Sequence, residues 1–282
     1  MSDIEPGKGV LRRILVGVDG SADGLRAVRY AVRTAQAAGA DLWIVNVADP
    51  GAMVSGMWEL VVTTEALQKA GVELTAEAVA FATGLGLPAA RVTSEVLVGQ
   101  AAEVLAELSA KADLLVVGRR SMSGLERMFV GSTSVAVAGL ARCPVVVISG
   151  SSTPLETGGQ RTVAVAISTW PPHSAALEWG AREAVVREAR LRVVHVVPAE
   201  AGTQRPALAA TTAELEGQLA SLREQHPDTP IDLDVLVGTP IDELIALSGS
   251  VDLLILGVHP EHLRGLARGV LAHSHCPVGL TR

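Results

Sequence analysis

Two stretches of this 282-residue chain read almost alike. SEVLVGQAAEVLAELSAKADLLVVG (94–118) and LDVLVGTPIDELIALSGSVDLLILG (233–257) run in the same order at an offset of 139. A chain that repeats one strand–helix–strand unit is expected to build the same architecture twice. The match extends outward: TVAVAIST (162–169) aligns with the strand that opens the first half, RLRVVHV (190–196) with the second strand, and CPVGLT (276–281) with CPVVVI (143–148). The stretch SGSSTPLETGGQR between the copies is polar and rich in Gly, Ser and Thr, as a linker is. The boundaries read from the sequence are a first domain at 1–149, a linker at 150–161 and a second domain at 162–282.

Within the first copy, ILVGVDG (14–20), DLWIVNV (41–47), VTSEVLV (92–98), ADLLVVG (112–118) and PVVVI (144–148) are short apolar runs. Such runs suit parallel strands covered on both faces. Ala-rich helical stretches separate them. The first is started by Ser21 or Asp23 and stopped by Gly39, with Ala27, Ala31, Ala35 and Ala38 on one face. Further helices are expected at about 61–83, 100–110 and 132–141. The fold class is therefore α/β: two doubly wound, five-stranded, Rossmann-like parallel-sheet domains in tandem.

Composition excludes several functions. The chain is 49% hydrophobic and 19% charged, too apolar to remain disordered. Its net charge of −7 and only seven aromatic residues argue against nucleic-acid binding, which draws on basic surfaces and stacking rings. Two cysteines outside any CxxC pair build no disulfide framework. No basic start followed by an apolar segment opens the chain, and no uncharged run has membrane-spanning length. A cytoplasmic protein without membrane association is expected.

In open parallel sheets, ligands bind beyond the carboxyl ends of the strands. Gly17-Val18-Asp19-Gly20-Ser21 falls there, as does Gly118-Arg119-Arg120-Ser121-Met122-Ser123-Gly124, leading to Gly131-Ser132-Thr133-Ser134. A Gly-rich loop entering a helix aims backbone N–H groups and the positive helix end at one spot, which suits phosphate. Gly131 permits close approach, and Ser132, Thr133 and Ser134 add hydroxyl donors. Asp19 can accept from ribose hydroxyls or help hold a metal. The same residues also read as a plain helix cap and a plain turn. Neither GxxxxGK[ST] nor GxGxxG is present, so a P-loop and a dinucleotide fingerprint are both missing.

ILVGVDGS, the spacing Gly118-x2-Ser121-x9-Gly131-Ser132 and the Cys-Pro-Val-Val-Val-Ile strand together resemble a universal stress protein domain. The two-copy chain resembles the tandem members of that family, with the first copy the better match. The resemblance implies ATP, alone or with Mg2+, bound as a sensed ligand. It carries over to Gly17, Val18 and Asp19 at the first strand's end, Val47 at the adenine, and Val117, Gly118, Arg120 and Ser121 in the loop. Gly131, Ser132, Thr133 and Ser134 are carried over to the phosphates. Ser121 stands where the family signature has its second glycine, which implies weakened binding. The family also implies that the last strands of the two copies pair antiparallel, making an internal pseudo-dimer that can associate into a homodimer.

The second copy departs from this pattern. Ser168 replaces Asp19, and only 18 residues separate Gly257 from Cys276, against 24 between Gly118 and Cys143. GVHPEHLRGLARG lacks the Gly-Ser at the helix start, and Pro260 restricts the loop. This half is expected to be a structural partner without nucleotide. His259, His262, His273, His275 and Cys276 do not read as a zinc site, because a helix between the two groups would hold them roughly 15 Å apart. Arg119, Arg120 and Arg127 read as solvating the loop, or as a phosphate partner. Met53, Met57 and Trp58 read as a pocket roof or a hydrophobic anchor. No Ser-His-Asp order and no paired carboxylates support catalysis, so no catalytic residue is assigned. A nucleotide-binding regulator is the expected function; a ligand-free protein-interaction scaffold and a weak ATP hydrolase are the alternatives.

Overall fold

The computed structural model describes residues 11–49, 64–119, 132–152, 161–167, 174–198, 205–257 and 263–282. The first half contains β1 (Arg13–Gly17), α1 (Ala22–Ala38), β2 (Asp41–Ala48), α2 (Thr64–Gly84), β3 (Val92–Val98), α3 (Ala101–Leu108), β4 (Leu114–Gly118), α4 (Ser132–Leu140) and β5 (Val145–Ile148). The second contains β6 (Thr162–Ile167), α5 (Ser174–Val186), β7 (Arg190–Val197), α6 (Arg205–Gln225), β8 (Ile231–Val237), α7 (Pro240–Ser248), β9 (Leu253–Gly257), α8 (Arg268–His273) and β10 (Val278–Thr281). A π-helical turn, Leu263–Ala267, precedes α8.

Among the described residues ten strands form one sheet in the order β3-β2-β1-β4-β5-β10-β9-β6-β7-β8. Each half is doubly wound and parallel within itself. The halves meet at β5 and β10, which pair antiparallel with Val278 opposite Val147, Gly279 opposite Val146 and Leu280 opposite Val145. Two cores cover the faces. Ala27, Val28, Ala31 and Ala35 of α1 lie under one layer with α2, α5 and α6. The other layer carries Leu105 of α3, Val137 of α4, Leu244 of α7 and Val270 of α8.

The duplication reaches single side chains. Asp113 Oδ2 accepts from Arg13 N at 2.9 Å, and Asp252 Oδ2 accepts from Thr162 N at 2.7 Å. Ser109 Oγ accepts from Arg142 N at 2.8 Å, and Ser248 Oγ accepts from His275 N at 2.9 Å. Each serine thus fixes the residue just before the cysteine that leads into its half's last strand. Those cysteines, Cys143 and Cys276, are free thiols that burial pushes up to about 12. Cys276 is buried; Cys143 is only half-buried.

Two expectations need correction. The apolar run of β3 suggests a strand covered on both faces, yet Thr93, Ser94 and Glu95 are exposed. Among the described residues it is an edge strand, paired with β2 alone. The third helix was read as one piece over 100–110, but α3 ends at Leu108 and continues as a 3-10 turn, Ser109–Lys111.

Candidate functional site

β1 stops at Gly17, which lies in register between Val45 of β2 and Val117 of β4. Val18 is held on both sides: its N–H donates to Val45 O at 2.9 Å, and its carbonyl accepts from Asn46 Nδ2 at 2.8 Å. The chain then rises out of the sheet, so Val18 is buried while Asp19 and Gly20 are exposed. Gly20 has φ +77°, and a Cβ there would lie 2.8 Å from Leu74 Cδ2, so the turn that presents Asp19 requires glycine. Ser21 closes it. Its N–H donates to Asp19 Oδ1 at 3.0 Å, and its Oγ accepts from Gly24 N at 3.0 Å as the cap of α1.

On the other side of β1, Val117 is buried and Gly118 half-buried at the end of β4. Val47, near the end of β2, is half-buried. Helices that return from parallel strands begin at the strands' carboxyl edge, so α1, α3 and α4 all start there and turn positive ends toward it. Thr133 is exposed and Ser134 buried in the first turn of α4. The structure therefore brings Gly17, Val18, Asp19, Val47, Val117, Gly118, Thr133 and Ser134 to one edge of one half. Arg120, Ser121, Gly131 and the side chain of Ser132 lie outside the described residues, as do Met53, Met57, Trp58 and Arg127.

Three further residues shape this edge, two of them, Asn46 and Asp23, with no site reading from the sequence. Asn46 is a polar residue inside the apolar run DLWIVNV; that mismatch was its sequence signal. Asp23, weighed above only as a cap, is 1% exposed and pairs with Arg26 Nη1 at 2.7 Å, while its Oδ2 has no hydrogen-bond partner among the described residues. Burial pushes its carboxyl above the ordinary value, outweighing the pull of Arg26 and Arg119. Arg119 was read as solvating the loop or meeting phosphate. It docks instead on the second half, where its guanidinium donates to the carbonyls of Leu271 (2.8 Å) and Ala272 in the last turn of α8.

The raised Asp23 carboxyl gives a pH signature. A proton binds more tightly in the folded than in the unfolded chain, so this group's contribution falls as pH rises from about 3.8 through the folded value. Asp23→Asn removes that loss. Denaturant melts of parent and variant are expected to show the variant gaining, relative to the parent, between pH 4 and pH 7. A difference independent of pH contradicts the assignment.

In the second half, β6 ends at Ile167, and Ser168 and residues 258–262 lie outside the described residues. The helix before β10 has six residues behind a π-helical turn, where α4 has nine. His195 Nδ1 lies 3.0 Å from Ile167 O and packs between strands. His259 and His262 are outside the described residues, and among those described no three His, Cys, Asp or Glu side chains group as metal ligands. No described helix is long and apolar enough to cross a membrane.

An open, doubly wound α/β sheet with an exposed carboxylate and helix N-termini at its carboxyl edge defines a ligand-binding class of fold. Within that class, the chain belongs to the universal stress protein family, whose model matches residues 11–149 and again 160–282. A universal stress protein of Methanocaldococcus jannaschii is 31% identical over 153 residues, covering 52% of this chain and 87% of its own. One of Mycobacterium tuberculosis is 26% identical over 276 residues, covering 93% of this chain and 90% of its own, a full tandem match. A universal stress protein structure from Archaeoglobus fulgidus shares the fold, with TM-score 0.71, 15% identity and 96% of each chain covered.

Proposed function

We propose that this chain is a stress-response regulator that binds an adenine nucleotide, ATP, at the carboxyl edge of its first half. The observation that carries the reading is Asp19. It is an exposed carboxylate fixed at the end of β1 by Ser21, between Val47 and Gly118, on the edge where three helices turn their positive ends. A ribose hydroxyl suits the carboxylate, Val47 suits an adenine face, and the Gly118–Ser134 stretch suits phosphates. If Mg2+ accompanies the triphosphate, Asp19 is the residue that would hold it. The nucleotide is sensed, not turned over.

The second half, with Ser168 in place of Asp19, serves as the partner across the β5–β10 join. Domains at 1–149 and 162–282, with a linker at 150–161, follow from this reading. Two free cysteines suit a reducing cytoplasm.

Mass spectrometry of small molecules released on denaturing the purified protein, with calorimetry against ATP, AMP and cyclic nucleotides, tests the proposal. One nucleotide per chain is expected. Asp19→Ala is expected to lower ATP affinity at least tenfold, and Gly131→Val to abolish binding while leaving the thermal melt unchanged. Flat calorimetry with no released nucleotide favours a scaffold; ATP turnover that is lost in Asp19→Ala favours a hydrolase.

A further inference from the structure

A second polar cavity lies across the join between the halves and shares no residue with the nucleotide site. It has a volume of about 880 Å³ and is roofed by α1 on one side and the end of α5 on the other. Five arginines line it: Arg26, Arg29 and Arg33 from α1, with Arg161 and Arg187 from the second half. Among the described residues two carboxylates join them, Glu183 and Asp252. In a chain of net charge −7, this is a concentrated positive cavity.

The two carboxylates do not neutralise it. Glu183 is occupied by Trp179 Nε1 at 3.1 Å and Arg187 Nε at 2.8 Å. Asp252 accepts from the backbone N–H of Thr162 at 2.7 Å. Arg26 is held by Asp23. Among the described residues Arg161 donates to the carbonyl of Arg187, at 3.2 Å. Arg29 lies over the Phe81 ring at 5.5 Å, and Arg33 has no hydrogen bond or ion pair among the described residues. Among the described residues, the guanidinium forks of Arg29, Arg33 and Arg161 therefore meet no carboxylate.

This arrangement works against the helix that carries it. Arg26, Arg29 and Arg33 fall at i, i+3 and i+7, one stripe of α1. Like charges at such spacings oppose helix formation. A bound anion would reverse the sign of that effect. Arg29 and Arg33, whose forks are not paired with a described carboxylate, are about 6 Å apart along the helix at 1.5 Å per residue, and Arg161 lines the cavity from the other side of the join. Guanidinium forks match phosphate oxygens in pairs, which favours phosphoryl groups over carboxylates spread along a flexible chain.

We propose that this cavity is an anion site that takes a linear oligophosphate, read by Arg29 and Arg33 on one side and Arg161 on the other. It is independent of the nucleotide site. Two sources share this chemistry, a free inorganic oligophosphate and the triphosphate tail of a nucleotide.

Calorimetric titration of the full chain with sodium tripolyphosphate tests it in Gly131→Val, the variant expected to close the nucleotide site, alone and combined with Arg29→Gln/Arg33→Gln. Saturable binding of one equivalent is expected in Gly131→Val, weakened at least tenfold when the two arginines are also replaced, and reduced by added salt. The substituted arginines are solvent-facing, so the fold should persist; circular dichroism checks this, and Arg161→Gln on the opposite wall supplies an independent variant with the same expected loss. ATP titrated into Gly131→Val separates the sources: affinity equal to that of tripolyphosphate means only the phosphates are read, and weaker binding means the free oligophosphate is the ligand. Absence of saturable heat in Gly131→Val, or equal affinity with and without the arginine replacements, would each overturn the proposal.

Discussion

Gly118→Val is expected to lower stability by about 3 kcal/mol, at the upper end of overpacking costs, because the added side chain strikes backbone. A Cβ on Gly118 would lie 2.6 Å from Asp23 C, 2.7 Å from Gly24 N and 2.8 Å from Asp23 O. None of these atoms belongs to a side chain that could rotate away. The helix cannot easily retreat either. Its start is fixed by the Ser21 cap, and Ala27, Ala31 and Ala35 are fully buried against the sheet. Moving α1 outward would open that packing along its length, and bending β4 would break its register with β1 and β5. Because the same displacement moves Asp19, nucleotide affinity should fall together with stability. At roughly 2–4 °C per kcal/mol, a thermal melt should drop by about 6–12 °C. Gly118→Ala carries the same first atom and should show most of the loss. If the alanine variant melts within 1 °C of the parent, the close approach of α1 to β4 is not what glycine provides here.

The reach and the limit of sequence reading follow from how far each interaction runs along the chain. Ser21, Gly39 and the alanine stripe of α1 act within a few residues, so their roles follow from spacing alone. The choice between Ser21 and Asp23 as cap was open until geometry placed Ser21 Oγ on Gly24 N. Asp23 was then free to be buried beside Gly118. The repeat foretold ten strands, and the family resemblance foretold the β5–β10 pairing. β3 misled because VTSEVLV alternates too weakly to betray an edge; its exposure depends on which strands neighbour it. Arg119 misled for a related reason. Its acceptors at Leu271 and Ala272 lie more than 150 residues away, and nothing local to a loop arginine points to them. The position of Asp19 outside the sheet was legible because it follows an apolar strand run and precedes a glycine, though the same residues also read as a plain turn. Asn46, which holds Val18 from the neighbouring strand, was not: its partner is set by sheet register.

Arg187→Met is expected to cost about 3–5 kcal/mol, the range for breaking a buried ion pair by removing one partner. Glu183 is 4% exposed, and among the described residues Arg187 supplies its one charged hydrogen bond, from Nε to Oε2 at 2.8 Å. Without the guanidinium, the carboxylate keeps the Trp179 indole N–H as its hydrogen-bond donor. The loss also reaches across the join. Arg187 Nη2 donates to Tyr30 Oη at 2.7 Å, and its guanidinium lies 5.2 Å from the Tyr30 ring centre. Burial pushes the Tyr30 phenol above its ordinary value, so it stays protonated and accepts this bond. This contact ties α1 of the first half to α5 of the second beside the β5–β10 pairing. The double variant Glu183→Gln/Arg187→Met removes the stranded charge and keeps an acceptor for Trp179, so it should recover at least 2 kcal/mol relative to Arg187→Met alone. Urea melts of the parent, both single variants and the double variant close this cycle. Additive losses would mean that Glu183 and Arg187 act separately, and the cost of Arg187→Met would then belong to Tyr30 and the packing of the join.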